Sequence, residues 1–468
     1  MENKNSQTAE AIKTIILAML VISLVILVVV YIGGTHIYQA MTKNDEKKVF
    51  DKLWSVQSGQ RSDGLDKSRL IPEIIGYRLT NGKPLCTIAD RSSTESLYEL
   101  VAPCIIELFG SSSTCEEMNA DEGKLIYSSA LNSSEYVYLR WHEPTLYQLI
   151  YAYSSGRLAI SESDTAIFSK SENESGAYIK EMIIIPENDV AAHRFTAIAT
   201  DSNGRYFIFK RNAEAVASDF HISKLSDASS KITTQPFEFS TDELQSSEPV
   251  IFNELLCEDI SVEYAAMPDE EETDILLKLF GYNPDKLKTN PYDSDGMSYY
   301  DSHSRIRLKT GCIDYRAFDQ SSGIELSQLL GYSVDDGYSL FDKLAAVDYL
   351  MTSLYEISPE LIGNEAKLCL GNVYNENGML VFEYFYTYNN IRLSKEISVK
   401  ATFTQTTIFS FELTALSCKP NGETTLVPTS EYILRKLKTT GKLTDTAHIS
   451  MRLLYDNEKV TQNVIIYK

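Results

Sequence analysis

From Thr14 to Ile32 the chain runs for 19 residues without a charge (TIILAMLVISLVILVVVYI), and no comparable run recurs. At 1.5 Å per residue a helix of that length covers about 28 Å, close to the ~30 Å hydrocarbon core of a bilayer. A cleaved leader would carry a shorter apolar stretch, about 7 to 15 residues, before a small-residue cleavage site. Here the uncharged stretch continues through Gly33, Gly34 and Thr35 to Thr42, and His36 to Met41 contains no Ala-x-Ala pattern. The pattern therefore predicts a retained membrane span over residues 14–34, a cytoplasmic tail over 1–13, a polar stalk over 35–60, and the bulk of the chain outside the cell. Lys4 and Lys13 precede the span while Lys43, Lys47 and Lys48 follow it, so positive-inside counting does not choose the orientation. The outward choice rests on long domains crossing largely regardless of charge.

Beyond the stalk the periodicity is that of an α+β chain, and it predicts three extracytoplasmic lobes of antiparallel sheet with helices packed on one face. In the first, over 61–172, Ser92 to Phe109 reads as a helix with Leu97, Leu100, Val101, Cys104, Ile105 and Leu108 on one side. Ser93 or Thr94 would cap it, Pro103 would kink it and Gly110 would end it. Tyr136 to Trp141 follows as a strand. The middle lobe, over 173–318, opens with the β-rich run Tyr178 to Ile185. A hairpin turns at Asp201-Ser202-Asn203-Gly204, Ser226 to Pro249 reads as a long loop, Glu270 to Phe280 as a helix, and Ser298 to Tyr315 as a strand pair. The third lobe, over 319–468, has a helix at Phe341 to Tyr355 and a hairpin turning at Asn377-Gly378 into the strand Met379 to Tyr388. A strand pair spans Ser394 to Leu416, a helix Glu431 to Leu437 is capped by Ser430, and two closing strands follow. The middle and third lobes share a hairpin, a short helix and a closing strand pair, the outline of an internal repeat.

Charge narrows the partners. The net charge is −22, and residues 1–48 hold five Lys against four acids, so the exterior part carries about −23. Such a field repels nucleic acid and anionic lipid headgroups. Tyr is frequent (29 against 2 Trp), suiting strands apolar on one edge and wet on the other. Seven scattered Cys include no C-x-x-C pair and read as buried thiols.

The candidate chemistry is sparse. No nucleophile elbow, phosphate loop, H-E-x-x-H or dinucleotide fingerprint occurs, and no two of the six His fall at i, i+3 or i+4. Asp293-Ser294-Asp295-Gly296 is half of a calcium loop without the closing bidentate Glu, and reads as a turn. No catalytic, metal or cofactor site is predicted. Two partner surfaces are. Along Val381 to Tyr388 the even positions Phe382, Tyr384, Tyr386 and Tyr388 share one face. Tyr384, Tyr386 and Tyr388 could meet a partner there, the plain alternative being that the helix 431–437 covers them. In the span, Thr14 and Ala18 form a small-x-x-x-small pair that would let a second membrane helix approach.

The order of parts resembles the YycH family of membrane-anchored regulators. Leu279-Phe280-Gly281 through Pro284, then Tyr292 to Gly296, Tyr299-Tyr300-Asp301, Arg305 to Leu308 and Ile313-Asp314-Tyr315 follow the family's succession of helix, turn, hairpin and Tyr-bearing strands. Phe382 to Leu393 (FEYFYTYNNIRL) is similar to a further family strand, with Asn390 and Arg392 standing where Gly and Pro are usual. The resemblance implies a non-enzymatic regulator of a WalK-like sensor histidine kinase, acting beside a YycI-like protein, with 319–468 as the YycI-like lobe. The competing expectation is a cell-surface binding module for a wall component or secreted protein, whose sign would be a pocket lined by the Tyr-rich strands.

Overall fold

The computed structural model describes residues 65–467 apart from 158–159, 161, 170–175, 188–193, 202, 212–219, 230, 240–248, 335–336, 360–364, 394–395, 442–447 and 457. The predicted span 14–34 with Thr14 and Ala18, the tail and the stalk lie outside the described residues. Among the described residues no helix is long and apolar enough to cross a membrane.

The fold is α+β, built on two large sheets. The first has ten strands in the order Pro249–Ile251, Gln235–Phe239, Leu85–Thr87, Ile74–Arg78, Tyr136–Leu146, Tyr178–Pro186, Phe195–Thr200, Tyr206–Arg211, Ser113–Met118 and Ile167–Ser169. Only the last pair is parallel. The second follows the order Lys288–Tyr292, Gly296–Tyr300, Ser304–Lys309, Cys312–Ala317, Thr407–Thr414, Val399–Phe403, Met379–Tyr388, Ile391–Arg392, His448–Asp456 and Lys459–Tyr467. Ile324–Glu325 pairs beside Thr407–Thr414, and Lys367–Glu376 beside Met379–Tyr388. A separate ribbon joins Leu255–Tyr264 to Leu416–Val427.

Sheet membership crosses the predicted lobe boundaries. Tyr136–Leu146 pairs with Tyr178–Pro186 across residue 173, and Cys312–Ala317 pairs with Thr407–Thr414 across residue 319. Hydrogen bonding thus groups the described strands into two large sheets and one ribbon, with pairings that cross both predicted boundaries.

Nor are the helices confined to one face. Tyr206 packs on Tyr127 of the helix Ala120–Leu131, with ring centroids 5.8 Å apart. Phe209, three residues on and so on the opposite face, lies 4.6 Å from Phe109 of the helix Arg91–Phe109. Both faces of the first sheet are therefore covered. The face toward Ala120–Leu131 holds a core of Ile74, Tyr136, Tyr138, Ile183, Ile198 and Phe237. Gly123 marks the close approach, since a Cβ there would stand 2.4 Å from Tyr206 Cβ.

Local signals place most element ends. Arg91–Phe109 is capped by Asp90, which accepts from Ser93 N, rather than by Ser93 or Thr94, and it continues through Pro103. Capping boxes start Glu270–Leu279 (Asp269 with Glu272) and Leu340–Ile357 (Ser339 with Asp342). Asn377 and Gly378 both take positive φ, the two-residue turn that matches strand twist. Within the segment read as a loop, Gln235–Phe239 is a strand that adds to Leu85–Thr87. Asp293 to Gly296 is the expected turn, joining Lys288–Tyr292 to Gly296–Tyr300.

Candidate functional site

The strand Met379–Tyr388 does not offer its tyrosines to a partner. Tyr384, Tyr386 and Tyr388 are 0%, 1% and 6% exposed, and Phe385 and Thr387 between them are buried too, so the strand is covered on both faces. Tyr384 Oη lies 3.4 Å from Tyr153 Oη on the helix Tyr147–Ser155, while Tyr388 donates to Glu258 and packs edge-on against Tyr455. The helix Ser430–Thr439 is not what covers them. Its Leu434 packs with Val250 and Met451. The alternation of Tyr was legible, but not that the chain's own Tyr153, Glu258 and Tyr455 meet that face.

What the structure brings together instead is a buried polar seam between the two sheets. It starts in a break of register between Tyr136–Leu146 and Tyr178–Pro186, after Arg140 and before Thr145, where Pro144 can offer no N–H to a ladder. The break leaves the carbonyls of Trp141 and His142 without ladder partners, and the buried Lys180 ammonium donates to both. Arg140 pairs with Glu73 at 3.2 Å and reaches toward Met451 O. Glu143 bridges Arg392 at 2.7 Å and Arg452 at 3.3 Å. Asn390, in the left-handed region at φ 63°, turns its buried carboxamide back across the seam. Its Nδ2 donates to Pro72 O at 2.9 Å and Glu73 O at 3.0 Å, and its Oδ1 stands 3.4 Å from His142 Nε2. Asn390 and Arg392 are thus both seam contacts.

Two further links run parallel to it. Arg69 pairs with Asp348 at 2.7 Å, both buried. Arg91, in the first turn of its helix, donates to Thr387 at 3.1 Å and to Ser68 O at 2.6 Å.

Burial and charge move the titrations of the seam. Burial favours a neutral Glu73, but Arg140 and the other cations around it prevail and hold the carboxyl at about 2. Burial, aided by Lys180 and Arg392, holds His142 at about 4, so it is a neutral ring at pH 7. Burial and Arg452 bring Lys180 down to about 7. These groups face one another inside the protein, so the arrangement suits docking of one sheet to the other. A signal for it exists in the sequence. Arg140, His142 and Glu143 fall consecutively around Trp141 in a strand that is otherwise apolar, which places charge on both faces of a buried element.

Cavities open at the surface of the described residues. One, about 260 Å³, lies between Pro144, Tyr178, Arg205 and the segment Asn372 to Tyr374. Another, about 480 Å³, is walled by Tyr282 and Tyr315 with Asp301, Ser304 and the loop from Asp319 to Glu325. No group of three His, Cys, Asp or Glu placed to hold a metal occurs among the described residues. All seven cysteines are free thiols, six of them buried and Cys312 half-buried.

No family model matches the chain, and no curated protein matches it in sequence. Among solved structures it is similar to the crystal structure of YycH from Bacillus subtilis, at 11% identity and a TM-score of 0.49. The superposition covers 86% of this chain and 96% of that one.

Proposed function

We propose that the protein is a single-pass membrane protein whose exterior part regulates a WalK-like sensor histidine kinase, with a YycI-like protein as a further partner, by association rather than chemistry. The observation that carries the reading is the uncharged run Thr14 to Ile32 set ahead of a compact α+β body over Arg61–Lys468. The family resemblance of Leu279 to Tyr315 and Phe382 to Leu393 supplies the choice of partner.

The physical mechanism is a shift of populations. A helix that binds one conformation of the kinase's membrane segments more tightly moves a two-state equilibrium by its differential affinity, and about 1.4 kcal/mol moves it tenfold. Thr14 and Ala18 would give the close approach that such packing needs. The test replaces Thr14 to Ile32 by an unrelated apolar helix of equal length and reads kinase output in cells. Loss of control with the exterior part still folded is expected. Unchanged output with the exchanged helix would refute the proposal.

A further inference from the structure

The four strands from Lys288–Tyr292 to Cys312–Ala317 have two unlike faces. On one, Ile306, Leu308, Ile313 and Tyr315 are buried. Residues in direct register share a face, so Lys288, Tyr300, Arg305 and Arg316 form a row across the other. Arg307 and Lys309 continue that face along Ser304–Lys309. Lys288 and Arg316 are exposed, and Arg305, Arg307 and Lys309 partly so. These cations share one sheet face of a chain whose net charge is −22. The acids set among them are Asp314, its cross-strand neighbour Glu412, and Asp293, which pairs with Lys309 at 3.2 Å.

The central guanidinium groups are held in place without being consumed. Arg307 lies over the Tyr292 ring, 4.5 Å from its centroid. Asp314 Oδ2 stands 3.8 Å from Arg305 Nη2 and 3.5 Å from Arg307 Nη1, longer than a hydrogen bond. Both arginine side chains are 29% exposed, so their Nη donors remain open to a partner.

The chain carries the complement itself. Asp269, Glu270, Glu271 and Asp274 are exposed around the first turn of Glu270–Leu279. That turn lies over the opposite face of the same strands. Tyr299, in register with the buried Ile306, has its phenol titration pushed up by burial and by Asp274 and Glu270. The sheet itself therefore stands between the basic and acidic patches, and neither can meet the other within one copy. Their spacings match. Two residues along a strand advance about 6.8 Å, as from Arg305 to Arg307, and four along a helix about 6 Å, as from Glu270 to Asp274. A nucleic-acid duplex or an anionic lipid surface would set the acidic remainder of the chain against its phosphates. A flexible acidic peptide would lose chain entropy on docking, which a folded helix has already lost. We infer that this sheet face docks the acidic helix start of a second copy of the chain, with Arg305 and Arg307 against Glu270, Glu271 and Asp274. The contact is head to tail, so copies add in a row or close into a ring.

Such docking needs neither a kinase nor a membrane helix, so its failure leaves the proposed regulation standing, and the reverse. Full-length protein in detergent is prepared in natural-abundance and nitrogen-15 forms, mixed equally at low salt, and treated with a carbodiimide that joins lysines to carboxylates in contact. Mixed-isotope peptides linking Lys288 or Lys309 to the segment Asp269 to Asp274 are expected, reduced at least fivefold in 0.5 M NaCl. Arg305→Glu with Arg307→Glu keeps every group that can be linked and should lower the yield at least tenfold. Glu270→Lys with Glu271→Lys leaves the capping box of Asp269 and Glu272 intact and should lower the links at Asp269 and Asp274 as much. An equal mixture of the two double variants should restore the links, because the acids of the first meet the cations of the second. Absence of mixed-isotope links between the two faces overturns the assignment. So does a yield that neither double variant changes, or a mixture that restores nothing. Copies that stay apart while a polyglutamate peptide binds the arginine face would give that face to a different acidic protein, and overturn self-docking too. Should the arginine variant lose its far-ultraviolet circular dichroism, the helix variant alone decides.

Discussion

Replacing Asn390 by Gly tests whether the seam holds the two sheets together. Gly adopts the left-handed φ of this turn freely, so the exchange keeps the backbone path and removes the carboxamide alone. The carbonyls of Pro72 and Glu73 then lose donors at 2.9 and 3.0 Å in a region closed to water. Each buried acceptor left without a partner costs about 1–3 kcal/mol. Relief of left-handed strain returns less than about 1 kcal/mol, because Asn tolerates that region better than most residues. The expected net loss is about 2–4 kcal/mol. Asn390→Ala loses the same bonds and places an ordinary Cβ at positive φ, so it should fall about 1 kcal/mol below the Gly variant. The chain supplies its own probe. Of its two Trp, Trp141 is fully buried beside His142, and Trp54 lies outside the described residues. In a Trp54→Phe background, urea unfolding followed by Trp141 fluorescence reports on the seam, with the shift read from the midpoint at constant slope. A Gly variant as stable as its parent would refute the argument, for the carboxamide would then be a bystander. Ala above Gly would show that the backbone strain has been misjudged.

Two further predictions follow from the same region. Because the folded state holds His142 near 4 against an ordinary 6.5, the unfolded chain binds the extra proton, so this contribution is whole above pH 6.5 and lost as pH falls toward 4. Glu73, depressed to about 2, extends the loss from 4.5 downward. His142→Gln should remove up to about 3 kcal/mol of the pH dependence between 6.5 and 4, read as urea midpoints at pH 7, 5.5 and 4. A slope unchanged by the substitution would place the titration elsewhere. At the Arg69–Asp348 pair, Asp348→Ala leaves a buried guanidinium with only the more exposed Asp66 carboxylate, 3.5 Å away, and should cost about 3 kcal/mol, whereas Arg69→Met with Asp348→Leu should lie much closer to the parent. Equal losses in the single and double variants, measured by urea unfolding, would mean that packing rather than charge governs the site.

How much was legible depended on whether the controlling force is local. Caps and turns are local, and so the helices at Glu270 and Leu340 and the hairpins at Gly204 and Gly378 stand where their residues predict. The helix Ala120–Leu131 was not predicted, although Asn119 caps it by accepting from Asp121 N and Glu122 N, because its buried side is narrow: Gly123, Tyr127 and Ala130. The strand pairings across the predicted lobe boundaries were not legible for a different reason. Periodicity tells that a strand has a buried face, never which strand lies beside it, and Cys312–Ala317 finds its neighbour about a hundred residues later at Thr407–Thr414. The tyrosines of Met379–Tyr388 carry the same lesson for a site. Alternation identified one common face, yet only the partners of Tyr384 and Tyr388, on Tyr153 and Glu258, decide that it is internal. The cavity at Tyr282 was out of reach, since it is assembled from three loops.

Why the two sheets dock through charges rather than through an oily joint can be argued from what a misdocked pair would meet. Both sheets present large aromatic and aliphatic surfaces, and apolar contact alone is non-directional, so a slip of a few ångströms along such a joint loses little. The seam changes that cost. A slip would strand Glu73 opposite apolar side chains, separate Glu143 from both Arg392 and Arg452, and leave Asn390 without the carbonyls of Pro72 and Glu73. Each uncompensated buried charge costs several kcal/mol, far more than the pair contributes over a well-packed apolar substitute. The polar groups therefore add little to the depth of the native state and much to its uniqueness. This predicts a particular failure for variants that replace the whole cluster by apolar residues: they should keep their urea midpoint while Trp141 fluorescence and amide exchange along Tyr136–Leu146 report more than one docking. A single sharp state in such a variant would show that shape complementarity alone sets the register.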